Sequence, residues 1–599
     1  MPSRFRNRLR RAFRRLLGTG DPPERVARGL AAGILAAAFP LPGLQVPLSL
    51  LFAWLVRGNK LAALAGQTVS NAFTALPLAY AQFRVGSVLW PGSATNAEQA
   101  RCLLWSIREC WSWSAPLESL GNLGAAWLSL GGQVLGPLAL GVFVTGAGAT
   151  VLSYAASLTA LTVFHAYRLR RKVERGLRPQ AHGERFVLPE SGVDETDDKA
   201  SAMRYALYPD TYVQAQSVKL LVDGRQAFPE MLAAISNAEK SVDMETYILR
   251  SDRTGRHFAD ALAGAASRGV KVRLLYDGVG CLGLPQEYID GLLSSGVRVA
   301  VFRPLRSLWL KGLGALNRRD HRKILVVDES IAFTGGLNIG DEYAAKEDGG
   351  EGWRDTHCRL ESPEVARQLL ALIEVAWPRA DEFPAPAEAP ETRIAVRESG
   401  GQAIAKAASG PCAAASTDVP VQVLNNRDLF KRIRVRQTYL RAIKRARRYI
   451  LLENAYFIPD RRIRRALRNA VRRGVVVGVV VPMYSDLPIV ALASRALYGE
   501  LLASGVRLFE YPVSMLHCKA AVIDDVWVVV SSYNLDHRSL LHNLEAGVLL
   551  LDRTLAQAMR EQIVTDIERC REVTFELHAA RAWNRALTEA LAYQLRYWL

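Results

Sequence analysis

Cysteine and histidine are both scarce in this chain of 599 residues, with seven of the first and nine of the second. The cysteines stand at 102, 110, 281, 358, 412, 518 and 570, nowhere in C-x-x-C spacing. That scatter excludes a zinc ribbon or a dithiol redox motif and reads as reduced thiols in a chain exposed to the cytoplasm. Acidic residues are also short, 58 against 76 basic ones, which leaves a net charge of +18. Such an imbalance favours a polyanionic partner, either nucleic acid or an anionic membrane surface. Charge is missing altogether from three long runs, Gly29 to Val56, Leu61 to Phe83 and Ser119 to Tyr167. Runs of that length are rare in soluble cores, and a spanning helix needs about 20 apolar residues.

The third run has room for two spans, near 120–143 and 146–167. The first contains Pro40, Pro42, Gly43 and Pro47, so a broken or re-entrant segment is expected there. Arg4, Arg6, Arg8, Arg10, Arg11, Arg14 and Arg15 precede this region, and Arg168, Arg170, Arg171, Lys172 and Arg175 follow it. The positive-inside rule places both ends in the cytoplasm and demands an even number of crossings. The basic stretch is too long for a cleavable signal peptide. The chain therefore reads as a basic segment (1–23), a helical membrane domain (24–172), a linker (173–203), two related halves (204–379 and 421–599) and a linker between them (380–420) rich in Ala, Pro, Gly and Ser. Within the apolar region, Gln67, Thr68, Ser70, Asn71 and Thr74 are read as helix–helix hydrogen bonders, or otherwise as the lining of a lipid path.

Against this scarcity of histidine, H-x-K-x-x-x-x-D occurs twice, at His321, Lys323, Asp328 and at His517, Lys519, Asp524. Each copy is followed at one distance by a small-small-x-Asn cluster, Gly335, Gly336, Asn338 and Ser531, Ser532, Asn534. The copies sit in a wider repeat: Arg268-Gly269-Val270 recurs as Arg473-Gly474-Val475, Ser295-Gly296-Val297-Arg298 as Ser504-Gly505-Val506-Arg507, and Glu245-Thr246-Tyr247-Ile248 as the region Glu453 to Phe457. Each half reads strand, helix, strand, helix, strand and then the H-x-K strand, which predicts an α/β sandwich with a largely parallel sheet. Residues 305 to 320 are extra in the first copy and are expected to loop near the site mouth.

On a strand, residues two apart share a face, so His321 projects with Lys323 and His517 with Lys519. Asp328 and Asp524 complete the candidate set, but their odd offset turns them away, and they read as turn or salt-bridge residues holding the strand end. Two histidines suit phosphodiester transfer: one neutral imidazole attacks phosphorus, and the other protonates the leaving oxygen and later serves as base. Two lysines and two asparagines, Asn338 and Asn534, stabilise the non-bridging oxygens. Each histidine then needs a carboxylate on its other nitrogen. Asp355 is the candidate for His321 and Glu545 for His517. The pattern implies no cofactor, and it contains neither a hard-oxygen cluster for Mg²⁺ or Ca²⁺ nor a Cys/His set for Zn²⁺.

Over roughly residues 205–575 the sequence resembles the phospholipase D superfamily. The blocks HRKILVVDESIAFTGGLNIGDEY and HCKAAVIDDVWVVVSSYNLDHRSLLHNLE look most like its bacterial cardiolipin synthases, and ENAYFIPD (453–460) and MYSD (483–486) strengthen the likeness. The family's catalytic His, Lys and Asn carry over onto His321, Lys323, Asn338, His517, Lys519 and Asn534. Ser531-Ser532 departs from the usual Gly-Ser, setting a serine where it is expected to crowd the phosphate. The stretch GLAAGILAAAFPLPGLQVPLSLLFAWLVRGNKLAALAGQTVSNAFTALPLAY resembles a bacterial membrane domain of unknown function.

The resemblance implies two phospholipase D-like α/β sandwich halves forming one catalytic unit, preceded by an α-helical membrane domain. It implies an inner-membrane enzyme with its catalytic domain in the cytoplasm. That enzyme would take a phosphatidyl group from phosphatidylglycerol onto a histidine, release glycerol, and pass the group to a second phosphatidylglycerol. By analogy the first histidine attacks. The rivals are a phospholipase D whose acceptor is water, a nuclease of the same superfamily, and a scaffold with a decayed site. Membrane spans argue against nucleic acid as the partner, and two intact motifs argue against decay. The Arg-rich stretch 427–473 is expected to lie against anionic headgroups. The segment Ala579 to Leu599 is expected either to lie at the membrane interface or to pack on the catalytic domain.

Overall fold

Small residues decide how the N-terminal helices meet. In the computed structural model, which describes residues 23–39, 44–70, 74–90, 122, 125, 132–174, 186–189, 202–304, 318–384, 414–426 and 429–597, this region forms α1 (Pro23–Ala38), α2 (Gln45–Leu55), α3 (Lys60–Gln67), α4 (Ala75–Leu89) and α5 (Gly132–Glu174). Gly29 and Gly33 of α1 lie on the backbone of α3, where a Cβ would fall 2.2 Å from the Asn59 carbonyl oxygen and 2.0 Å from that of Ala63. Only glycine admits this approach. The chain divides into two compact units, Met1–Arg171 and Lys172–Leu599.

The expected break falls between α1 and α2, although Pro40 to Gly43 lie outside the described residues. The freed carbonyls at the end of α1 are met by side chains: Gln45 Nε2 donates to Phe39 O (2.7 Å) and Gln82 Nε2 to Ala38 O (2.8 Å). Gln45 also donates to Ser70 Oγ and accepts from Gln67 Nε2, so these polar groups bond helix to helix; Asn71 is not among the described residues. At about 1.5 Å per residue, the 16-residue α1 is about 24 Å long, short of a hydrocarbon core of roughly 30 Å. Among the described residues one helix is long and apolar enough to cross, Gly136–Leu161 within α5. This corrects the expectation of separate spans near 120–143 and 146–167, because α5 runs unbroken through 143–146. Pro137, its sixth residue, removes one intrahelical donor and leaves the helix continuous. The basic segment 1–22 lies outside the described residues.

The second unit is built on a single sheet of sixteen strands. The first half supplies β1 (Val213–Val222), β2 (Ser241–Thr246), β3 (Lys271–Asp277), β4 (Arg298–Phe302), β5 (Ile324–Val327), β6 (Ile331–Gly335), β7 (Thr356–Glu361) and β8 (Ala380–Glu382). The second supplies β9 (Ala414–Asn425), β10 (Tyr449–Asn454), β11 (Val476–Pro482), β12 (Arg507–Tyr511), β13 (Lys519–Ile523), β14 (Trp527–Ser531), β15 (Ala546–Leu551) and β16 (Arg571–Val573). Outward from a central β1–β9 pair, each half repeats one order, 1-7-6-5-2-3-4-8 and 9-15-14-13-10-11-12-16. The halves are thus related by a pseudo-twofold axis through the β1–β9 seam.

The sheet is mixed rather than largely parallel. Only the trios β2–β3–β4 and β10–β11–β12 run parallel, and the remaining pairs are antiparallel. The reason lies in the motif itself. Asp328-Glu329 and Asp524-Asp525 all adopt positive φ, between 50° and 57°, and close tight hairpins β5–β6 and β13–β14. The linker 380–420 is also narrower than its composition suggests. Ala380–Glu382 pairs on the β4 edge, and Ala414–Asn425 fills the centre of the sheet because β1 and β15 offer it two edges. Residues 385–413 lie outside the described set. In the preceding linker, Phe186 packs edge-on against Phe509.

Helices α6 (Pro363–Ala376), α7 (Arg461–Arg472) and α9 (Arg553–Arg569) cover parts of this sheet, and α8 (Pro488–Arg495) and α10 (Trp583–Gln594) pack on each other. One continuous core joins Val218, Val326 and Ile373 of the first half to Val421, Val548 and Ile563 of the second. The halves therefore bury their apolar faces together as one folding body.

Candidate active site

Both H-x-K segments lie where one half borders the other. His321 N–H donates to Leu544 O (2.9 Å), and Leu544 N–H donates to Arg319 O (2.8 Å). The mirror contact has His517 N–H on Arg354 O (2.8 Å) and Arg354 N–H on Met515 O (2.9 Å). Each histidine strand thus bridges to the residue just before a carboxylate of the opposite half. The side chains follow the backbone. His321 Nδ1 lies 3.0 Å from Glu545 Oε2, and His517 Nδ1 lies 2.7 Å from Asp355 Oδ2. The expected pairing is reversed, since Asp355 serves His517 and Glu545 serves His321. Spacing along the chain carries no information about which half supplies a partner across a seam.

The lysines keep to their own histidines. Lys323 Nζ donates to His321 O (2.7 Å), and Lys519 Nζ donates to His517 O and lies 2.8 Å from His517 Nδ1. In the first copy the motif precedes β5 as extended chain rather than lying within it; in the second, β13 starts at Lys519. Across the seam the sets feel one another: burial first, then Lys519, holds Lys323 down to about 7. All four side chains are nearly buried.

Burial, reinforced by Lys323, lowers His321 to about 4; burial and then Lys519 lower His517. Burial alone would raise Asp355, but Lys519 and His517 hold it below the usual carboxylate range. Glu545 is likewise lowered against its burial by His321, Lys323 and Ser532. Both imidazoles are thereby biased toward the neutral form, and each turns Nδ1 to a carboxylate, which leaves Nε2 on the opposite edge of the ring. A bound anion would offset the lysines and let one imidazole take up a proton.

The asparagines differ. Asn338 is engaged on both sides, accepting from Ile248 N–H (3.2 Å) and donating Nδ2 to Tyr343 OH (2.6 Å). Asn534 is buried, and its Oδ1 has no partner among the described residues. Ser531 and Ser532 turn from the cradle: Ser532 Oγ donates to Glu545, and Ser531 Oγ accepts from Tyr533 N–H (3.2 Å). The space for Ser531 comes from its cross-strand partner Gly547, whereas in the first half Gly335 faces His357. The expected crowding is thus relieved by a partner the local motif does not include.

Asp328 and Asp524 stand apart from the histidines, separated by seven residues of mostly extended chain at roughly 3.3 Å each. Asp328 accepts from the N–H groups of Lys240 (2.7 Å) and Ser241 (2.9 Å), and Asp524 from those of Arg447 (2.7 Å) and Tyr449 (2.9 Å). They tie the hairpins to β2 and β10 through backbone donors, so neither belongs with the reacting groups.

Solved and curated proteins give this arrangement a lineage. Residues 231–377 and 439–567 match the family described as "Cardiolipin synthase, PLD-like domain", and residues 6–170 match "Uncharacterized protein conserved in bacteria (DUF2062)". The chain is 34% identical over 385 residues to cardiolipin synthase B of Salmonella typhimurium, covering 63% of this chain and 87% of that one. It is 32% identical over 375 residues to the cardiolipin synthase of Halalkalibacterium halodurans, covering 62% and 70%. The chain belongs to the phospholipase D-like cardiolipin synthase family. The fold also matches phosphatidylserine synthase of Haemophilus influenzae, with a TM-score of 0.50 at 14% identity over 66% of this chain and all of that one.

Sequence reasoning did not single out the aromatic shell of this cardiolipin synthase family site. Tyr247 packs on His321 with centroids 4.7 Å apart, and Lys323 Nζ sits 5.1 Å from the same ring. Tyr343, Trp353 and Tyr456 surround His517 at 5.4, 5.9 and 6.4 Å. Tyr247 and Tyr456 fall in the repeated Glu-led blocks, a signal that marks them once the repeat is aligned. Arg354 gave no such signal. It is buried and pairs with Asp566 (2.8 Å), Glu453 (3.4 Å) and Asp223 (3.4 Å).

Proposed function

We infer that the chain makes cardiolipin by transferring a phosphatidyl group through a phosphohistidine. The observation that carries this reading is the pair of buried histidines, each held by a carboxylate from the opposite half, with a lysine beside each. His321 attacks the phosphorus of phosphatidylglycerol and forms the P–N bond. His517, protonated once the anion is bound, gives its proton to the departing glycerol oxygen. It then takes the proton from the hydroxyl of a second phosphatidylglycerol, whose oxygen displaces His321 and forms cardiolipin. Lys323, Lys519 and Asn534 stabilise charge on the non-bridging oxygens, and Asn338 holds Tyr343 against His517.

Both ends of the helical unit lie in the cytoplasm in this reading, with the enzyme in the bacterial inner membrane. Reporter fusions near residues 20 and 200 should agree on that side; opposite sides would move the catalytic unit to the periplasm. The decisive assay is lipid mass spectrometry on the purified chain in phosphatidylglycerol membranes. Cardiolipin and glycerol should appear together, in chelator as well as without it. Phosphatidic acid as the dominant product would replace this reading with hydrolysis, for which a buried, water-poor site gives no advantage. A phosphoryl adduct mapped to His517 would reverse the assignment of attacker.

A further inference from the structure

The site is nearly closed over, yet the loops beside it end in exposed apolar side chains. Tyr456, which packs on His517, donates its hydroxyl to both carboxylate oxygens of Asp486 (2.8 and 2.7 Å). On either side of Asp486 stand Tyr484, 66% exposed, and Leu487, 46% exposed, followed by Ile489 at the start of α8. The neighbouring loop, four residues ahead of His517, carries Val513 at 49%. The two loops lie side by side, with Met483 N–H on Tyr511 O (3.0 Å), and Arg495 clamps the first through Met483 O (2.9 Å). These side chains are therefore held outward on a braced platform rather than on a loose turn.

The rim is basic as well as apolar. The segment after Tyr456 opens α7 with Arg461, Arg462 and Arg465, all exposed and without an ion pair among the described residues. Their helix buries Ile463, Ala466, Leu467 and Ala470 on its other side. On the far side, α10 packs on α8 through its buried Ala586, Ala590 and Tyr593 and leaves Trp583 62% exposed. Of the two expectations for the C-terminal segment, packing on the catalytic unit is the one seen, and the helix also leaves Trp583 exposed. Exposed aliphatic and aromatic tips on the loop that Tyr456 bonds, with exposed arginines on the helix that follows Tyr456, match an interface with an apolar interior and an anionic surface.

We propose that Tyr484, Leu487, Ile489 and Val513, flanked by Arg461, Arg462 and Arg465, dock the catalytic unit on an anionic phospholipid bilayer with the His517 side of the site facing the lipid. The proposal rests on the phosphatidyl-transfer reading for its substrate. Docking here leaves the acyl chains in the bilayer while a headgroup rises past Tyr456 to the histidines, so no whole lipid has to leave the membrane.

The test uses the full chain carrying Leu487→Asp and Val513→Asp, reconstituted in nanodiscs. Turnover of phosphatidylglycerol within the disc should fall about tenfold or more. Turnover of dihexanoyl phosphatidylglycerol below its micellar concentration, with the enzyme in phosphatidylcholine discs, should stay at the wild-type level. In the wild type, amide exchange of 484–489 and 512–515 should be slower in phosphatidylglycerol discs than in phosphatidylcholine discs, and the variant should lose that difference. Equal loss on both substrates would place these residues in the site and overturn the proposal. So would full activity on bilayer lipid, or protection independent of lipid, which would mean that the helical unit or a second copy covers the face. A wild type that turns over neither lipid would instead remove the phosphatidyl-transfer reading, while the exchange comparison would still decide docking.

Discussion

His517 of the second half is held by Asp355 of the first, Nδ1 to Oδ2 at 2.7 Å, and the mirror pair joins His321 to Glu545 at 3.0 Å. Each half supplies one histidine and the carboxylate for the other's. Neither half alone carries an oriented imidazole, so the site exists only when the seam is formed.

Crossed support makes a kinetic forecast. Asp355→Asn should disable His517, and Glu545→Gln should disable His321, each lowering turnover roughly 10²–10⁴-fold. With a substrate whose leaving group needs no proton, Asp355→Asn should still form the adduct on His321 but transfer it slowly. Glu545→Gln should slow adduct formation. Burst kinetics with the adduct mapped to its histidine would check this; Asp355→Asn depressing formation on His321 would contradict the crossed pairing.

Gly336 has no room for a side chain, because a Cβ there would fall 2.0 Å from Asp355 Oδ1. Gly336→Ala should therefore displace Asp355 and approach the loss of Asp355→Asn. Its counterpart Ser532 donates to Glu545, so Ser532→Gly removes a bond to a charged group without a clash and should cost about tenfold. Steady-state rates with circular dichroism as the fold control would separate the two effects.

Lys323 is lowered to about 7, chiefly by burial and then by Lys519. Raising pH through that value removes a positive charge from the phosphate cradle of the free enzyme, so kcat/KM should fall on the alkaline side from about 7. A bound phosphodiester favours the ammonium form, so the corresponding limb of kcat should lie at higher pH. Coincident limbs in the two profiles would mean that another group titrates.

Arg354 closes a buried network with Asp566 and Glu453, far from any solvent screening. Arg354→Met leaves those carboxylates unpaired and should destabilise the unit by roughly 3–5 kcal/mol. Replacing the whole network by apolar residues should cost much less. Denaturant titration of both variants measures the difference. A loss under about 1 kcal/mol for Arg354→Met would show that the carboxylates find protons or other partners.

Much of this protein was legible in order along the chain. The doubled motif, its spacing to the small-residue clusters and the Ser-Gly-Val repeats gave the two halves, and the uncharged runs gave the helical unit. These are local facts, because side-chain periodicity and the rarity of histidine are written into consecutive residues. The direction of the hairpins after Asp328 and Asp524 was less legible, since aspartate and glutamate at positive φ carry none of the Asn-Gly signature that announces such turns.

What only the tertiary structure decided lies at the seam. Sequence proposed Asp355 and Glu545 as the carboxylates but assigned each to the wrong histidine, because contact across a pseudo-twofold axis depends on which strands border in space. Arg322, inside the first H-x-K motif, meets Glu245 of its own half at 2.7 Å. The corresponding motif position in the second half is Cys518, and the corresponding Glu453 is met by Arg354 of the first. The two glutamates read alike in sequence, but the arginine that meets each comes from within the half in one case and across the seam in the other. Chain order fixes which groups are present; the folded sheet fixes which of them meet.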